Sequence, residues 1–222
     1  MWGLKQVVGA SALGLFTTMA LAATVPYTES FASDAGNWRN SAGSAAATYI
    51  AAGGSDGGGF IQQPFSFGGL NVGDTPVLVR GQSNFTSSGN NFFGNWLTDG
   101  VTEFRAYVRH DAPVPINFFS RMARTPAPGA VGVEFTPVLP NTWTEISIDI
   151  AAANPQFISF EGSDFGFVFS DIQRLQLGVQ VPGGLSPTAS FNFDFDQITI
   201  VPEPSSLALL FIGGLALRRV RQ

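Results

Sequence analysis

Through the centre of the chain, apolar and polar positions alternate with a period of two. Between the two ends, no stretch keeps a capped helical period for ten residues. The clearest run is 101–109, where Phe104, Ala106 and Val108 share one face and Glu103, Arg105, Tyr107 and Arg109 the other. Residues 143–150 repeat the pattern, with Ile146, Ile148 and Ile150 directed inward, and 173–179 does so with Leu175, Leu177 and Val179. Shorter runs at 27–31, 48–51, 60–67, 75–80, 116–122, 132–135 and 165–169 predict further strands. Residues 53–59 are almost all glycine and predict a loop, because ordering that many glycines in a ladder costs too much entropy. The last run, 190–200, changes parity: Phe191, Phe193 and Phe195 fall on one side, Ile198 and Ile200 on the other. A uniform strand cannot bury both sets, so a bulge or strong twist is predicted near Asp196-Gln197, and any aspartate it turns inward needs a partner.

Short strands, 26 glycines, 14 prolines and 21 phenylalanines without internal repeats predict an all-β fold: a two-sheet antiparallel β-sandwich, a jelly roll. With no cysteine, the domain is held by its core, and thiol chemistry and thiolate metal sites are excluded.

Both ends depart from this pattern and read as helical processing segments. Lys5, the apolar stretch Val7 to Phe16 and the small-x-small site Ala20-Leu21-Ala22 predict a signal peptide over 1–22, cut after Ala22. At the other end, Pro202-Glu203-Pro204 precedes an uncharged apolar run from Leu207 to Leu217 and then Arg218, Arg219 and Arg221. The two prolines are expected to keep this corner from pairing as a strand. An eleven-residue helix covers about 16 Å against a hydrocarbon core of about 30 Å, so the run crosses or sits deep in one leaflet only with snorkelling arginines. The plainer alternative is a C-terminal core helix. The division is therefore 1–22, a β-sandwich over 23–201, and a terminal segment over 202–222.

The ordered triple of Pro-Glu-Pro, apolar run and arginine cluster resembles the PEP-CTERM sorting signal of Gram-negative bacteria. That resemblance implies recognition and cleavage by an exosortase-type membrane transpeptidase after export. The protein would be anchored transiently in the inner membrane and then reach the cell surface or extracellular matrix. Proteins of that kind are typical of exopolysaccharide and biofilm producers.

Charge narrows the choice of partner. Eleven basic residues less four in the terminal segments leave seven, all arginine, against fifteen acids once Glu203 is set aside. The central region thus carries a net charge near −8. That argues against nucleic acid and leaves membrane contact to the terminal segments, while suiting calcium or neutral polysaccharide.

Glu29-Ser30-Phe31, Asp34-Ala35-Gly36-Asn37-Trp38 and the run from Gly53 to Ile61, with Leu175 to Val179 and Phe195 to Ile200, resemble the opening and closing strands of laminin-B-type and carbohydrate-binding jelly rolls of the galactose-binding-like kind. The resemblance implies a structural calcium at Glu29 and Asp196, with Asp34 and Asp194 as neighbours; the alternative leaves Asp194 and Asp196 solvated on the outer face. Sugar binding would use aromatic platforms. Trp38, Trp96, Tyr107 and Trp143 are the candidates, with Asn91, Asn95, Arg105 and Arg109 as polar partners. Trp38 is expected in the core, and Tyr107 and Trp96 are preferred. His110 is the only histidine, and no Gly-x-Ser-x-Gly elbow accompanies it. The expectation is a non-catalytic carbohydrate-binding protein. The alternatives are a structural or adhesion subunit without a ligand site and, third, a glycan-active enzyme.

Overall fold

A computed structural model describes residues 21–185 and 188–202. The first strands are β1 (Tyr27–Glu29), β2 (Arg39–Asn40), β3 (Thr48–Ile50), β4 (Phe60–Ser66) and β5 (Val77–Gln82). After two 3-10 turns come β6 (Val101–His110), β7 (Phe118–Ala123), β8 (Gly129–Val133), β9 (Thr144–Asp149) and β10 (Phe157–Ser159). A short helix α1 (Phe165–Phe169) precedes β11 (Arg174–Val179) and β12 (Ser190–Pro202).

The strands form two antiparallel sheets. One runs β3-β4-β12-β6-β9, with β1 also paired to β12; the other runs β10-β8-β7-β11-β5-β2. Alternation decides the packing. In β6 every second residue from Phe104 to His110 is buried while Arg105, Tyr107 and Arg109 are half-exposed. The inward sets form one core, in which Phe118 of the second sheet meets Phe193 and Phe195 of the first at ring-centroid distances of 6.3 and 6.1 Å. Trp38, Ile146, Ile148, Leu175, Leu177 and Val179 lie in it as expected.

β12 carries the predicted bulge. Asp196 pairs with Tyr107 but Thr199 pairs with Arg105, so three residues of β12 advance while β6 advances two. The extra residue sits beside Gln197, whose φ of +46° turns the strand. Both aromatic and aliphatic sets are buried in consequence: Phe193, Phe195, Ile198 and Ile200 are all 0% exposed.

Several expectations are corrected. Residues 165–169 form a helix: the Asp164 side chain accepts the Phe167 amide at 2.8 Å, and Phe165 packs on Phe169 one turn later at 4.6 Å. The eighth strand begins at Gly129 instead of residue 132, and the two- and three-residue strands β2 and β10 were not expected. Pro202 does pair, opposite Val101 across a second irregularity at the very end of β12, where a missing N–H is tolerated. Glu203, Pro204 and the run to Arg218, Arg219 and Arg221 lie outside the described residues, as does the signal segment up to residue 20. Among the described residues no helix is long and apolar enough to cross a membrane.

Candidate functional site

On the outer face of the first sheet, register brings together three side chains from three strands. Gln62 of β4 stands opposite Asp194 of β12, which stands opposite Arg109 of β6. Gln62 Nε2 donates to Asp194 Oδ1 and Arg109 Nε to Asp194 Oδ2, both at 2.8 Å. The Asp194 side chain is only 6% exposed, so its charge needs this pairing. The Arg109 guanidinium is also held by rings: its carbon lies 4.5 Å from the Trp143 centroid and 5.1 Å from that of Phe60. Trp143 is fixed in turn, donating its indole N–H to the Gly53 carbonyl at 3.0 Å and meeting Phe60 edge-on.

This row forms one wall of a cavity of about 230 Å³ lined by Gln62, Arg109, His110, Asp111, Asn141, Asn192 and Asp194. Asp111 orders the far wall by accepting the Asn192 amide N–H at 2.8 Å and its Nδ2 at 2.7 Å. Asn141 sits on a left-handed backbone turn anchored to the His110 carbonyl, and its side chain makes no hydrogen bond among the described residues. Fixed carboxylates and amides with spare acceptor and donor positions therefore converge on one opening.

His110 belongs to the floor. It is 1% exposed, lies between Phe118 and Phe193, and bonds through Nε2 to the Val138 carbonyl. Burial pushes its pKa below the ordinary imidazole value, and among the described residues its ring hydrogen bond goes to a backbone carbonyl. It is a neutral core histidine.

The other residues expected to bind sugar are scattered. Tyr107 and Arg105 do lie on the outer face, two and four residues along β6 from Arg109, where Tyr107 stands opposite Glu145. Arg105 is paired with Glu103. Trp96 is corrected: it is 0% exposed, donates to the Phe92 carbonyl at 2.7 Å and packs on Phe169, so it offers no face to a ligand. Asn95 is corrected as well, because its Oδ1 accepts the amides of Leu97 and Thr98 and closes the turn before β6. Asn91 bonds Thr24 and the Ser88 carbonyl, far along the chain from the cavity. Gln62, Asp111, Asn141 and Asn192 were missed. Asn192 and Asp194 alternate with Phe191, Phe193 and Phe195, and that parity was the available signal for two cavity residues.

The acidic quartet does not converge on one cation. Asp194 is already paired with an arginine, and Asp34 accepts the Gly36 amide within its own turn. Glu29 accepts the Phe31 amide, and Asp196 accepts the Ser55 amide and hydroxyl and the Gln197 amide. Among the described residues no three acids or histidines group as metal ligands. A hard cation takes six to eight oxygens, and in this structure each of these carboxylates accepts an N–H or O–H donor. The bulge aspartate clasps the glycine loop. It is 0% exposed, and burial pushes its carboxyl above the usual range. Gly54 passes so close that a Cβ there would stand 2.6 Å from Asp196 Oδ2, which explains a glycine at that position.

No protein-family model matches the chain, and no curated protein matches it in sequence. Solved structures do resemble it. The CBM22-1–GH10 modules of Clostridium thermocellum endo-1,4-β-D-xylanase 10B, complexed with xylohexaose, match at a TM-score of 0.51 and 15% identity, over 80% of this chain and 28% of that one. The tandem CBM22 domains of Paenibacillus barcinonensis Xyn10C match at 0.45 and 15%, over 85% and 49%. The family 11 carbohydrate-binding module of Clostridium thermocellum Lic26A-Cel5E matches at 0.42 and 12%, over 82% and 96%. The chain thus spans less than a third of the first of these and about half of the second. The first likeness is one of fold: the two sheets are a jelly-roll sandwich.

Proposed function

We propose that this protein is a non-catalytic carbohydrate-binding β-sandwich, and that its site is the cavity bounded by Gln62, Arg109, Asp111, Asn141, Asn192 and Asp194. One observation carries this reading: donors and acceptors on three strands, Gln62 of β4, Arg109 and Asp111 at the end of β6, and Asn192 and Asp194 of β12, are held in place by one another before any ligand arrives. A sugar ring presents hydroxyls that both donate and accept, and preorganised amides and carboxylates bind them without the cost of ordering side chains. Trp143 and Tyr107 supply aromatic surface beside that polar group, as sugar sites commonly require an apolar wall with a few polar contacts. A xylanase chain of CBM22-1 and GH10 modules, solved with xylohexaose and sharing this fold over part of its length, supports the class of ligand.

The test is affinity electrophoresis of the full-length chain in gels containing mixed-linkage β-glucan or linear β-1,4-xylan. Retardation is expected in at least one gel. Asn192→Ala and Tyr107→Ala are expected to weaken it about tenfold each, the equivalent of one lost hydrogen bond or ring contact. Migration unchanged by every neutral polymer would favour the structural or adhesion reading instead.

We further propose that the sandwich is exported and sorted. Cleavage after Ala22 would leave the amine of Ala23, whose nitrogen lies 2.8 Å from Asp99 Oδ2, beside a ready counter-ion. The terminal Pro202-Glu203-Pro204 segment with Arg218, Arg219 and Arg221 would then act as the address read by a membrane transpeptidase, delivering the protein to the surface or exopolysaccharide matrix. Replacing Pro202-Glu203-Pro204 by alanines is expected to leave the uncut precursor in the inner-membrane fraction. Normal release of that variant would refute the sorting reading and leave the sugar site untouched.

A further inference from the structure

The second sheet has an outer face of its own. Register sets Arg39 of β2 opposite Arg80 of β5, Arg80 opposite Gln176 of β11, and Gln176 opposite Arg121 of β7. Side chains in one such row project to the same side, and strands about 4.8 Å apart make this row about 15 Å long. Arg174, two residues from Gln176 on the same strand and so on the same face, stands opposite Gln82 and Ala123. Four of the seven arginines in the described residues thus share one sheet face, in a protein whose formal net charge is −5.

Two of the four are occupied. Arg121 donates to Glu161 and to Gln176 Oε1, and Arg39 bonds the Gly43 carbonyl and lies 4.0 Å over the Phe85 ring. Arg80 and Arg174 are not. Neither guanidinium has a carboxylate within ion-pair reach or a hydrogen-bond acceptor among the described residues, and the Nε of each is buried without a partner. Burial, together with the neighbouring guanidiniums, holds both below the ordinary arginine range. Like charges set side by side in a half-buried place oppose folding, and nothing on this face offsets them except Glu161.

We propose that this face is a second binding site, in which Arg80 and Arg174 take the carboxylate or sulfate group of an acidic polysaccharide. It rests on the reading that the domain binds polysaccharide and adds the charge of one ligand. A guanidinium offers a planar fork of N–H donors that matches an oxyanion in two parallel bonds. Gln82 and Gln176, which flank the pair in register, are themselves buried, and Gln176 Oε1 already accepts from Arg121, so the two guanidiniums carry the contact. A nucleic acid is disfavoured, since its continuous phosphate charge would meet an acidic protein outside this one row.

The full-length chain is titrated with polygalacturonate, carrageenan, mixed-linkage β-glucan and single-stranded DNA. Binding to polygalacturonate, carrageenan or both is expected, weakening as salt rises; which of the two binds tells carboxylate from sulfate. The double variant R80Q/R174Q is expected to lose about tenfold or more of that affinity and to keep its β-glucan affinity, whereas Asn192→Ala does the reverse. R80K/R174K, which keeps the charge without the fork, should fall between the two and carries the test if the glutamine variant does not fold. Acidic binding that survives where β-glucan binding is absent would remove the cavity on the first sheet and leave this site standing. No binding to either acidic polymer, wild-type affinity in both double variants, or tighter binding of DNA overturns the proposal.

Discussion

Replacing Trp96 by alanine is expected to lower stability by about 3–5 kcal/mol, the usual cost of emptying a large aromatic site in a closed core. The indole is 0% exposed, lies against Phe169 and satisfies its N–H on the Phe92 carbonyl, so truncation leaves both a void and an unpaired acceptor. In a domain of this size that is a fall in melting temperature of roughly 6–20 °C. Tyr107→Ala, on the exposed parity of β6, should stay within about 0.5 kcal/mol of the parent. Thermal unfolding of the two variants side by side tells core from platform. A Trp96→Ala protein that melts like the parent yet loses sugar binding would return that ring to the ligand site.

Arg109→Leu is expected to cost about 3 kcal/mol or more, because it strands the Asp194 carboxylate at 6% exposure with Gln62 as its one remaining partner. It also removes a cation from between Trp143 and Phe60, worth about 0.5–1 kcal/mol. Asp194→Asn should be milder, since the amide oxygen still accepts from one side and the better-exposed Arg109 can turn toward water. The sharper measurement is a double-mutant cycle in urea. Arg109→Leu with Asp194→Leu should be less destabilised than the sum of the single changes, as a buried pair removed whole no longer leaves an orphaned charge. Strict additivity would mean that the two side chains do not support each other and that the cavity wall is not preorganised.

Much of the sandwich was legible in advance. The alternation in β6, β9 and β11 named the inward residues correctly, because a strand's two faces are set by its own period. The parity change in β12 announced its bulge for the same reason. What misled was brevity. Phe165 to Phe169 carries five residues of apolar and glycine pattern, too few to separate a strand from a helical turn; the Asp164 cap and the one-turn contact between the two end rings decided it. Strands of two and three residues such as β2 and β10 exist only because a neighbour offers hydrogen bonds, which no local pattern announces.

The sites divide along the same line. Sequence by itself determined that Arg105, Tyr107 and Arg109 face outward and that any aspartate turned inward by the bulge would need a partner. It could not determine which partners. Gln62, Arg109 and Asp194 meet across separations of 132 and 85 residues, and Arg80 and Arg121 flank Gln176 from strands on either side. Those meetings follow from strand order and register, which depend on how all the inward faces close on one core. The burial that turned Trp96 from platform to core, and the two arginines without an ion pair among the described residues, are likewise properties of the closed sandwich. Period is local chemistry; neighbourhood across strands belongs to the tertiary fold.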